Sequence, residues 1–408
     1  MSQVCIIGLG YVGFPLAQLC LKKEKIVKGI DNDAKKIELI NNGIDPIEKK
    51  EIKYKFEVSL DNPKFIKDSE VIIICVPTPV DNMKMPDYEP LLNALRYVAQ
   101  NLGKNKPLII VESTINPGVM EELVYPLFNN FKLGIDYNLA HCPERINPGD
   151  TKWNVENINR VVGGMTDECL NRAYEFYKSI LTAEIMKMSS IRTAEAVKIV
   201  ENTFRDVNIA FVNELAKCFS LMDIDIMEVI KGASTKPFAF MPHYPSCGVG
   251  GHCIPVDPYY LIEKAKSIGF DHKFLKLARE INESMPQYTV ELLIDALNEN
   301  KMCLNGTTVG ILGLSYKGNV GDLRESPALI IIDILKKKGA NVITYDPYIK
   351  SDCKSLDEIQ NKCDIFILCA DHNEFRNIDF NRIKIFIDGK NMFYDKKIKC
   401  IYKGIGRK

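Results

Sequence analysis

Short apolar runs alternate with stretches of helical periodicity over about the first 190 residues of the chain. Apolar runs bounded by turn residues are typical of buried strands, and stretches such as 91–101 and 167–180 have the apolar spacing of helices. Strands that alternate with helices in this way predict a parallel, doubly wound sheet. The predicted strands of this first unit cover residues 4–7, 26–30, 71–76, 108–111, 137–140 and 160–162.

A single long helix is predicted for residues 191–222, which contain neither glycine nor proline. At about 1.5 Å per residue this helix would be roughly 45 Å long. Lys198, Asn202 and Arg205 recur at i, i+4 and i+7 and therefore fall on one face. That face is either functional or a solvated polar stripe. Because the other faces are apolar, we expect the helix to join two lobes and to pair with its copy in a homodimer.

A second unit of alternating strands and helices closes the chain. Residues 262–298 are predicted to be helical, with Pro286 interrupting the helix. Strands then follow at 308–312, 342–345, 365–369 and 385–387, with a helix at 327–338. The predicted fold class is therefore α/β, with two Rossmann-like doubly wound domains, 1–190 and 299–408, joined by a long central helix and a helical dimerisation region, 191–298.

Composition narrows the functional classes. The 53 basic residues balance the 53 acidic ones, so the net charge gives no reason to expect a nucleic-acid or anionic-membrane partner. No apolar run is long enough to span a membrane, and the apolar residues 4–9 are too few for a signal peptide. The 13 cysteines are irregularly spaced, which favours reduced thiols and a cytoplasmic location, and no Cys or His spacing predicts a metal site.

The first predicted strand ends in a glycine-rich turn, Gly8-Leu9-Gly10-Tyr11-Val12-Gly13. In a dinucleotide site the first glycine makes the turn, the second lets the pyrophosphate approach, and the third packs helix on strand. The next strand ends at Asp31, the position of a carboxylate that hydrogen-bonds the adenosine ribose and repels a 2′-phosphate, which predicts NAD rather than NADP. Alternatively Asp31 caps the following helix, a role that Asp33 can also fill.

Polar residues cluster after three further predicted strands. Ligands of doubly wound sheets bind beyond the carboxyl ends of the strands, so the clusters predict a site, although each alone can be a cap or a turn. The clusters are Pro77-Thr78-Pro79, Glu112-Ser113-Thr114 and His141-Cys142-Pro143-Glu144-Arg145. The predicted cofactor-binding residues are Gly8, Gly10, Tyr11, Val12, Gly13, Asp31, Pro77, Thr78 and Thr114.

A glycine-rich loop at 248–261 carries the candidate nucleophile, Cys253. Three glycines in four positions leave bare backbone that a ligand can approach, and no helix or strand pattern claims the segment. Asp257 lies four residues further on, between the rigid Pro255 and Pro258. The competing interpretation is that Cys253, like most free cysteines, is a small core residue.

The second unit has its own turn, 313–318, whose glycine spacing differs from that of the first. Lys317 and Arg324 flank this turn. Two cations beside a nucleotide-sized crevice predict the binding of a diphosphate or a uracil, with solvated surface charges as the alternative.

Six ordered motifs resemble those of the nucleotide-sugar 6-dehydrogenases, the family that contains UDP-glucose dehydrogenase, over essentially the full length of the chain. The matching segments are 8–13, Glu112-Ser113-Thr114 with Pro117-Gly118, Pro143-Glu144, 195–202, 248–257 and 313–326. The sequences Gly-Gly-His-Cys-Ile-Pro-Val-Asp-Pro-Tyr-Tyr-Leu and Pro-Glu-Arg-Ile-Asn-Pro-Gly are similar to the branch that acts on UDP-N-acetylhexosamines. Residues 236–240 look more like UDP-N-acetylglucosamine enzymes than UDP-N-acetylmannosamine ones.

The resemblance implies a four-electron oxidation of the sugar C6 alcohol to a uronic acid, with two NAD reduced in turn, for surface polysaccharide or glycan synthesis. The Cys253 thiolate would add to the intermediate aldehyde, and the thiohemiacetal would be oxidised to a thioester that water hydrolyses. Lys198 and Asn202 would hold the substrate and stabilise the oxyanion. Asp257 would orient or activate water or act as base for the thiol.

The resemblance also implies that Glu144 and Thr114 position the hydrolytic water. Arg205 would replace an arginine that relatives supply across the dimer. The predicted substrate-binding residues are Glu144, Arg145, Lys198, Asn202, Arg205, Gly250, Lys317 and Arg324. Three positions depart from the family. Val256 stands where UDP-glucose enzymes carry a lysine, and Ser246 and Cys247 replace a glycine and a proline of the usual Pro-Gly-Pro-Gly entry to the loop. A UDP-glucose dehydrogenase and a catalytically silent nucleotide-sugar-binding dimer are the alternatives.

Overall fold

The computed structural model describes residues 2–81, 83–146 and 152–407 of the 408-residue chain. By their internal contacts these residues form two compact units. Unit 1 comprises the residues up to Glu201 together with Tyr259–Ile268, and unit 2 comprises Asn202–Pro258 and the residues from Gly269 onward. This division is coarser than the three domains predicted from the sequence. Among the described residues, no helix is both long enough and apolar enough to cross a membrane.

Unit 1 is built on a single twisted sheet. Its strands in the described residues are β1 (Gln3–Ile7), β2 (Ile26–Ile30), β3 (Glu57–Ser59), β4 (Val71–Ile74), β5 (Leu108–Val111), β6 (Asn138–His141), β7 (Arg160–Gly164) and β8 (Ile185–Lys187). Their order is β3-β2-β1-β4-β5-β6-β7-β8. All neighbours are parallel, as predicted, except β6 and β7, which are antiparallel. An antiparallel neighbour can be joined without a crossover helix, which the alternating sequence pattern does not reveal.

Alternate residues of the strands in unit 1 face two separate hydrophobic cores. In β1, Val4 and Ile6 belong to one core, and Cys5 and Ile7 belong to the other. Because successive side chains of a strand point to opposite faces, the sheet is covered on both faces, and the doubly wound prediction is confirmed. The helices are α1 (Gly13–Lys22), α2 (Ala34–Asn41), α3 (Pro63–Lys67), α4 (Glu89–Gln100) and α5 (Asp167–Lys178), with a π turn at Met120–Val124 and a 3-10 turn at Tyr125–Phe128.

Unit 2 contains a second parallel sheet. Its strands in the described residues are β9 (Thr308–Leu312), β10 (Asn341–Tyr345), β11 (Ile365–Leu368), β12 (Ile385–Asp388) and β13 (Ile401–Gly404). They are ordered β10-β9-β11-β12-β13. Val309 and Ile311 lie in one core, and Leu312 and Phe366 lie in another, so both faces of this sheet are also covered. The predicted second Rossmann-like unit is confirmed.

The remaining helices include the long one predicted from the sequence. They are α6 (Ile191–Leu221), α7 (Ile226–Ala233), α8 (Asp257–Ser267), α9 (Lys273–Glu299), α10 (Pro327–Lys337) and α11 (Leu356–Lys362), with 3-10 turns at Asn373–Asn377 and Phe380–Arg382. The prediction that Pro286 interrupts its helix is wrong, because α9 continues through it. Pro286 removes one backbone donor, and the burial of the proline and of its neighbours Met285 and Val290 compensates for that loss.

Candidate active site

The glycine turn after β1 has the geometry of a dinucleotide site. Gly8 has a φ of +92°, and a Cβ there would lie 2.5 Å from a backbone oxygen of the segment after β4. A Cβ at Gly13 would lie 1.9 Å from the Gly8 carbonyl oxygen, whereas a Cβ at Gly10 would meet nothing within 4 Å. Tyr11 is exposed and Val12 is half-buried in the same turn. The open backbone at Gly10, at the amino end of α1, fits the diphosphate of a dinucleotide.

Asp31 is buried at the end of β2 and holds the glycine turn. Its carboxylate accepts the Leu9 N–H at 2.7 Å and the Asp33 N–H at 2.9 Å, and it contacts the Lys36 ammonium at 3.1 Å. Asp33 caps α2 by accepting the Lys35 N–H, so the alternative role of Asp31 as that cap does not apply. Each oxygen of Asp31 already has two donors, so a ribose hydroxyl would have to replace the ammonium of Lys36.

The segments after β4 and β5 are bonded to each other. The Thr78 hydroxyl donates to the Thr114 carbonyl oxygen at 2.7 Å. Tyr260, in the part of α8 that belongs to unit 1, donates to the Thr78 carbonyl oxygen. Pro77 is exposed in the same segment. The structure thus brings the predicted Thr78 and Thr114 together at the carboxyl edge of the sheet, where ligands of such folds bind.

A buried network of charged groups lies at the ends of β5, β6 and β7. Arg160 is 1% exposed and bonds two carboxylates. Its Nη2 donates to Glu144 Oε2 at 2.5 Å, and its Nη1 donates to Glu112 Oε2 at 3.3 Å. Tyr177 on α5 donates to the other oxygen of Glu112. Burial raises the pKa of Glu112 to about 7, against the opposing charge of Arg160, so this carboxyl group retains its proton up to neutral pH.

The second oxygen of Glu144 is bound by backbone. Glu144 Oε1 accepts the N–H groups of Arg145 at 2.6 Å and Ile146 at 2.9 Å. The Arg145 guanidinium pairs with Glu201 at 2.5 Å, so within the protein it already has an anionic partner. Residues 147–149 of the predicted Pro-Glu-Arg-Ile-Asn-Pro-Gly motif lie outside the described residues. Glu144 is therefore held from both sides, which suits a group that must orient a water molecule.

Glu195, near the start of α6, binds the segment that follows Thr114. Its buried carboxylate accepts the Gly118 N–H at 2.6 Å and the Met120 N–H at 2.8 Å. Burial raises the pKa of Glu195 to about 7, although the two backbone bonds favour the charged form. In the sequence, Glu195 is recognisable only as the first residue of the motif 195–202. The structure gives it the role of fixing the chain beside the candidate Thr114.

The three polar residues predicted on one face of α6 differ in their exposure to solvent. Lys198 and Asn202 are each 8% exposed, whereas Arg205 is exposed. Asn202 Nδ2 donates at 2.5 Å to Oδ2 of the buried Asp257, which begins α8. Lys198 belongs to unit 1, and Asn202 and Asp257 belong to unit 2. Of the three residues, only Arg205 is a solvated polar side chain. Helical spacing predicts on which face of α6 a residue lies, but it does not predict which part of that face is buried by the rest of the protein.

Further along α6, a chain of buried polar side chains connects α6, α9 and the entry to the cysteine loop. Asn213 accepts the Ser246 N–H at 3.0 Å and donates to Asn282 Oδ1 at 2.9 Å. Asn282 donates to Asp206 Oδ1 at 2.8 Å, and Arg279 pairs with the same oxygen at 2.5 Å. These bonds lie within unit 2 and fix the start of the cysteine loop to two helices.

The glycines of the cysteine loop make room for the protein itself. A Cβ at Gly250 would lie 2.6 Å from Tyr316 Cβ and 2.7 Å from the Glu325 carbonyl oxygen. A Cβ at Gly251, whose φ is +88°, would lie 2.9 Å from the Tyr316 ring. The Gly251 N–H donates to the Arg324 carbonyl oxygen at 2.9 Å. Gly250, predicted as a substrate contact, is therefore required where the loop packs against the turn after β9.

Cys253 is half-buried, which does not support its interpretation as a core residue. Its Sγ lies 3.4 Å from Nε2 of the exposed His252. Its carbonyl oxygen accepts the N–H groups of Asp257 at 2.8 Å and Val256 at 3.1 Å, which fixes the loop to the start of α8. An imidazole at this distance can take the thiol proton. The sequence reasoning missed His252, although its position next to the cysteine was a signal.

The two predicted cations of unit 2 have different surroundings. Arg324 is bound by Asp322 through Nε at 3.0 Å and Nη2 at 2.5 Å. The pKa of Arg324 is raised, first by this hydrogen bond and also by the negative charges of Asp322 and Cys253. The positive charge of Arg324 therefore favours the thiolate form of Cys253. Lys317 is half-buried beside the same turn.

Cys247 is a core residue. It is fully buried, its N–H donates to the Gly389 carbonyl oxygen at 2.7 Å, and its Sγ lies 3.7 Å from the Cys369 carbonyl oxygen. Position 389 has to be a glycine beside it, because a Cβ there would lie 2.9 Å from the Cβ of Cys247. The departure from the family pattern at Cys247 thus has a packing role at the entry to the loop.

A dinucleotide turn on one Rossmann sheet and a half-buried thiol on a loop of the second unit are features of a nucleotide-dependent dehydrogenase. The chain belongs to the UDP-glucose/GDP-mannose dehydrogenase family. Residues 2–181 match its NAD binding domain, 192–284 its central domain and 310–398 its UDP binding domain. The cofactor is therefore NAD, and the predicted family and enzyme class are confirmed.

Relatives of known activity are similar over nearly the whole chain. A UDP-N-acetyl-D-mannosamine dehydrogenase of Pyrococcus horikoshii is 36% identical, with 99% of both chains covered. A UDP-N-acetyl-D-glucosamine 6-dehydrogenase of Pseudomonas aeruginosa is 37% identical, with 97% of this chain and 96% of that one covered. The solved UDP-D-ManNAc dehydrogenase of Pyrococcus horikoshii superimposes with a TM-score of 0.92, at 36% identity and 99% coverage of each chain. These relatives are named for different sugar epimers at almost equal identity.

Proposed function

We propose that the protein oxidises the C6 hydroxyl of a UDP-N-acetylhexosamine to a carboxylate and reduces two NAD for each sugar. Cys253 carries the proposal, because its half-buried thiol lies 3.4 Å from the His252 imidazole and in the field of Arg324. A single alcohol oxidation gains nothing from an activated thiol. Oxidation of an aldehyde to an acid does, because a thiohemiacetal can lose a hydride.

The reaction divides into two oxidations and a hydrolysis. NAD, held at the glycine turn, supplies the hydride acceptor for both oxidations, alcohol to aldehyde and thiohemiacetal to thioester. His252 takes the thiol proton, and the Cys253 thiolate forms the carbon–sulfur bond to the aldehyde carbon. Lys198 and Asn202 donate to the oxyanion, a role that their burial favours because fixed donors act most strongly away from solvent. Asp257 orients the Asn202 amide through the bond between them.

Hydrolysis then releases the product. Water held by Glu144 and Thr114 gives a proton to the Glu144 carboxylate and attacks the thioester carbon, the carbon–sulfur bond breaks, and the thiolate of Cys253 leaves. The rigid fixation of Glu144 by Arg160 and two backbone N–H groups supports this role. The carboxylate product is the uronic acid.

The nucleotide part of the substrate belongs with unit 2, which includes the UDP binding domain. Lys317 and Arg324 flank the turn after β9 in that domain, and we propose that both bind the diphosphate of the sugar nucleotide. Exposed apolar side chains at Val200, Phe204 and Phe211 recur on one face of α6 and support pairing with a second copy in a homodimer. Light scattering of the full chain tests this, since a monomer would contradict it.

The proposal is tested by the stoichiometry of NADH. With UDP-GlcNAc, UDP-ManNAc, UDP-GalNAc and UDP-glucose in turn, we expect two NADH per sugar for an N-acetylhexosamine and much slower turnover with UDP-glucose. Cys253→Ser should not complete the second oxidation, whereas Cys303→Ser, at an exposed cysteine, should behave as wild type. One NADH per sugar, or full turnover by Cys253→Ser, would contradict the proposal. NAD binding without turnover of any UDP-sugar would favour a silent binding protein.

A further inference from the structure

The carboxylate of Glu144 belongs to a buried network of three ionisable side chains. Arg160 is its charged partner, and the same guanidinium also bonds Glu112. The side chains of Arg160 and Glu112 are fully buried and that of Glu144 nearly so, which removes solvent screening between them. One cation thus bonds two carboxyl groups in a medium where an uncompensated charge is costly.

We propose that Glu112 and Arg160 are positioning residues for Glu144, with Arg160 holding its carboxylate and Glu112 controlling, by gaining or losing a proton, how much of the guanidinium charge Glu144 receives. This inference rests on the hydrolytic role proposed above for Glu144. When Glu112 is neutral, the full charge of Arg160 acts on Glu144 and weakens its attraction for a water proton. When Glu112 is ionised, the two carboxylates share the cation, and Glu144 becomes the stronger acceptor.

The number of acceptor positions supports this arrangement. Glu144 Oε1 is occupied by the backbone N–H groups of Arg145 and Ile146, and Oε2 accepts one bond from Arg160. A carboxylate oxygen can accept two bonds, so Oε2 retains one position for a water molecule. That position is on the same oxygen as Arg160, and the charge on the guanidinium therefore acts directly on the atom that would bind the water.

Glu112 is the group in this network that can titrate near neutral pH. Its pKa is raised to about 7, chiefly by burial, and the network is electrically neutral when Glu112 carries a proton. Three thiols also face it, and their raised pKa values leave them uncharged; these are Cys20 on α1, Cys75 after β4 and Cys142 after β6. Tyr177 donates to Glu112 and favours its ionised form, and among the described residues its hydroxyl bonds Glu112 rather than Glu144.

Glu112→Gln tests the inference, because the amide keeps the shape and cannot ionise. The enzyme is acid-quenched during steady-state turnover of the best UDP-sugar at pH 6, 7 and 8, and intact-protein mass spectrometry measures the fraction carrying the covalent sugar adduct on Cys253. A group with a pKa of about 7 is about one tenth ionised at pH 6 and nine tenths at pH 8. We therefore expect hydrolysis by wild type to accelerate by up to about ninefold over this range, with a matching fall in adduct.

The Glu112→Gln enzyme should retain at pH 8 the adduct level that wild type shows at pH 6. Tyr177→Phe is the matched control, because it removes a donor to Glu112 without touching the carboxylate of Glu144. In the Tyr177→Phe enzyme the fraction carrying the adduct should fall at a higher pH than in wild type. A merely structural role of Glu112 would not produce this shift. The same pH dependence in Glu112→Gln as in wild type, with normal turnover, would overturn this inference alone. Absence of NADH and of adduct in wild type would overturn it together with the proposed function.

Discussion

The effect on stability of replacing the buried Glu195 by a residue that cannot ionise is expected to become more favourable as pH rises. Glu195→Gln is expected to gain stability relative to wild type as pH rises from 5 to 8, although at every pH its amide nitrogen cannot accept the backbone N–H that one carboxylate oxygen of Glu195 accepts. Burial raises the pKa of Glu195 from 4.5 to about 7, so the folded state binds a proton over a range in which the unfolded state has released it. The free energy of unfolding of wild type therefore falls as pH rises from about 4.5 to about 7.

The magnitude follows from the same two values. At about 1.4 kcal/mol for each pH unit, the interval between 4.5 and about 7 corresponds to about 3 kcal/mol. Glutamine cannot ionise and does not incur this cost. The pH dependence of the free energy of unfolding of wild type alone is less informative, because other groups contribute to it. The pKa of Glu112 is raised in the same way. The pKa of buried His141 is lowered to about 3, which makes stability rise with pH up to about 6.5.

The assay is urea denaturation of wild type and Glu195→Gln at pH 5 and pH 8, followed by circular dichroism. Hydrogen exchange of the Gly118 and Met120 amides, which donate to Glu195, reports the local effect. Glu201→Gln removes one negative charge from a partly exposed position on the same helix and serves as the control. A stability difference between variant and wild type that is equal at both pH values would refute the reasoning.

Two further predictions concern the turn and the thiol. Gly13→Ala should lower the melting temperature and abolish NAD binding, because its Cβ would lie 1.9 Å from the Gly8 carbonyl oxygen. Gly10→Ala should keep the melting temperature and weaken only NAD binding, because its Cβ would meet no atom within 4 Å. Equal melting temperatures for the two variants would contradict this. His252→Gln should slow alkylation of Cys253 by iodoacetamide at pH 7 several-fold, measured by peptide mass spectrometry, without loss of stability, since His252 is exposed. An unchanged rate would exclude the imidazole as thiol base.

Much of the fold follows from local pattern. The long α6 was predictable because an apolar stretch without glycine or proline has few alternatives to a helix. The glycine turn was predictable because Gly8 and Gly13 have no room for a Cβ, while Gly10 leaves the backbone open to a ligand. Pro286 was misjudged, since its neighbours Met285 and Val290 belong to a core that residues distant in the sequence, such as Val309, complete.

The chemistry of the site was predictable only in part. Motifs pointed to Cys253 and Glu144, but nothing local connects Glu144 with Arg160, which starts a different strand. Their contact depends on the antiparallel pairing of β6 and β7, and that pairing brings the start of one strand to the end of the other. Likewise Arg324 could not be recognised as paired, because only the folded turn directs Asp322 onto it.

The buried polar chain of Asp206, Asn213 and Asn282 restricts how α6 can move. An apolar helix interface tolerates sliding, because one methyl group replaces another, but amides and carboxylates have fixed partners. Displacement of α6 by one turn along α9 would leave several buried donors and acceptors unsatisfied, at about 1–3 kcal/mol each. Asn213 is also bonded to Ser246, at the entry to the cysteine loop. In any ligand-driven rearrangement of unit 2, α6, α9 and this entry must therefore move together as one rigid body.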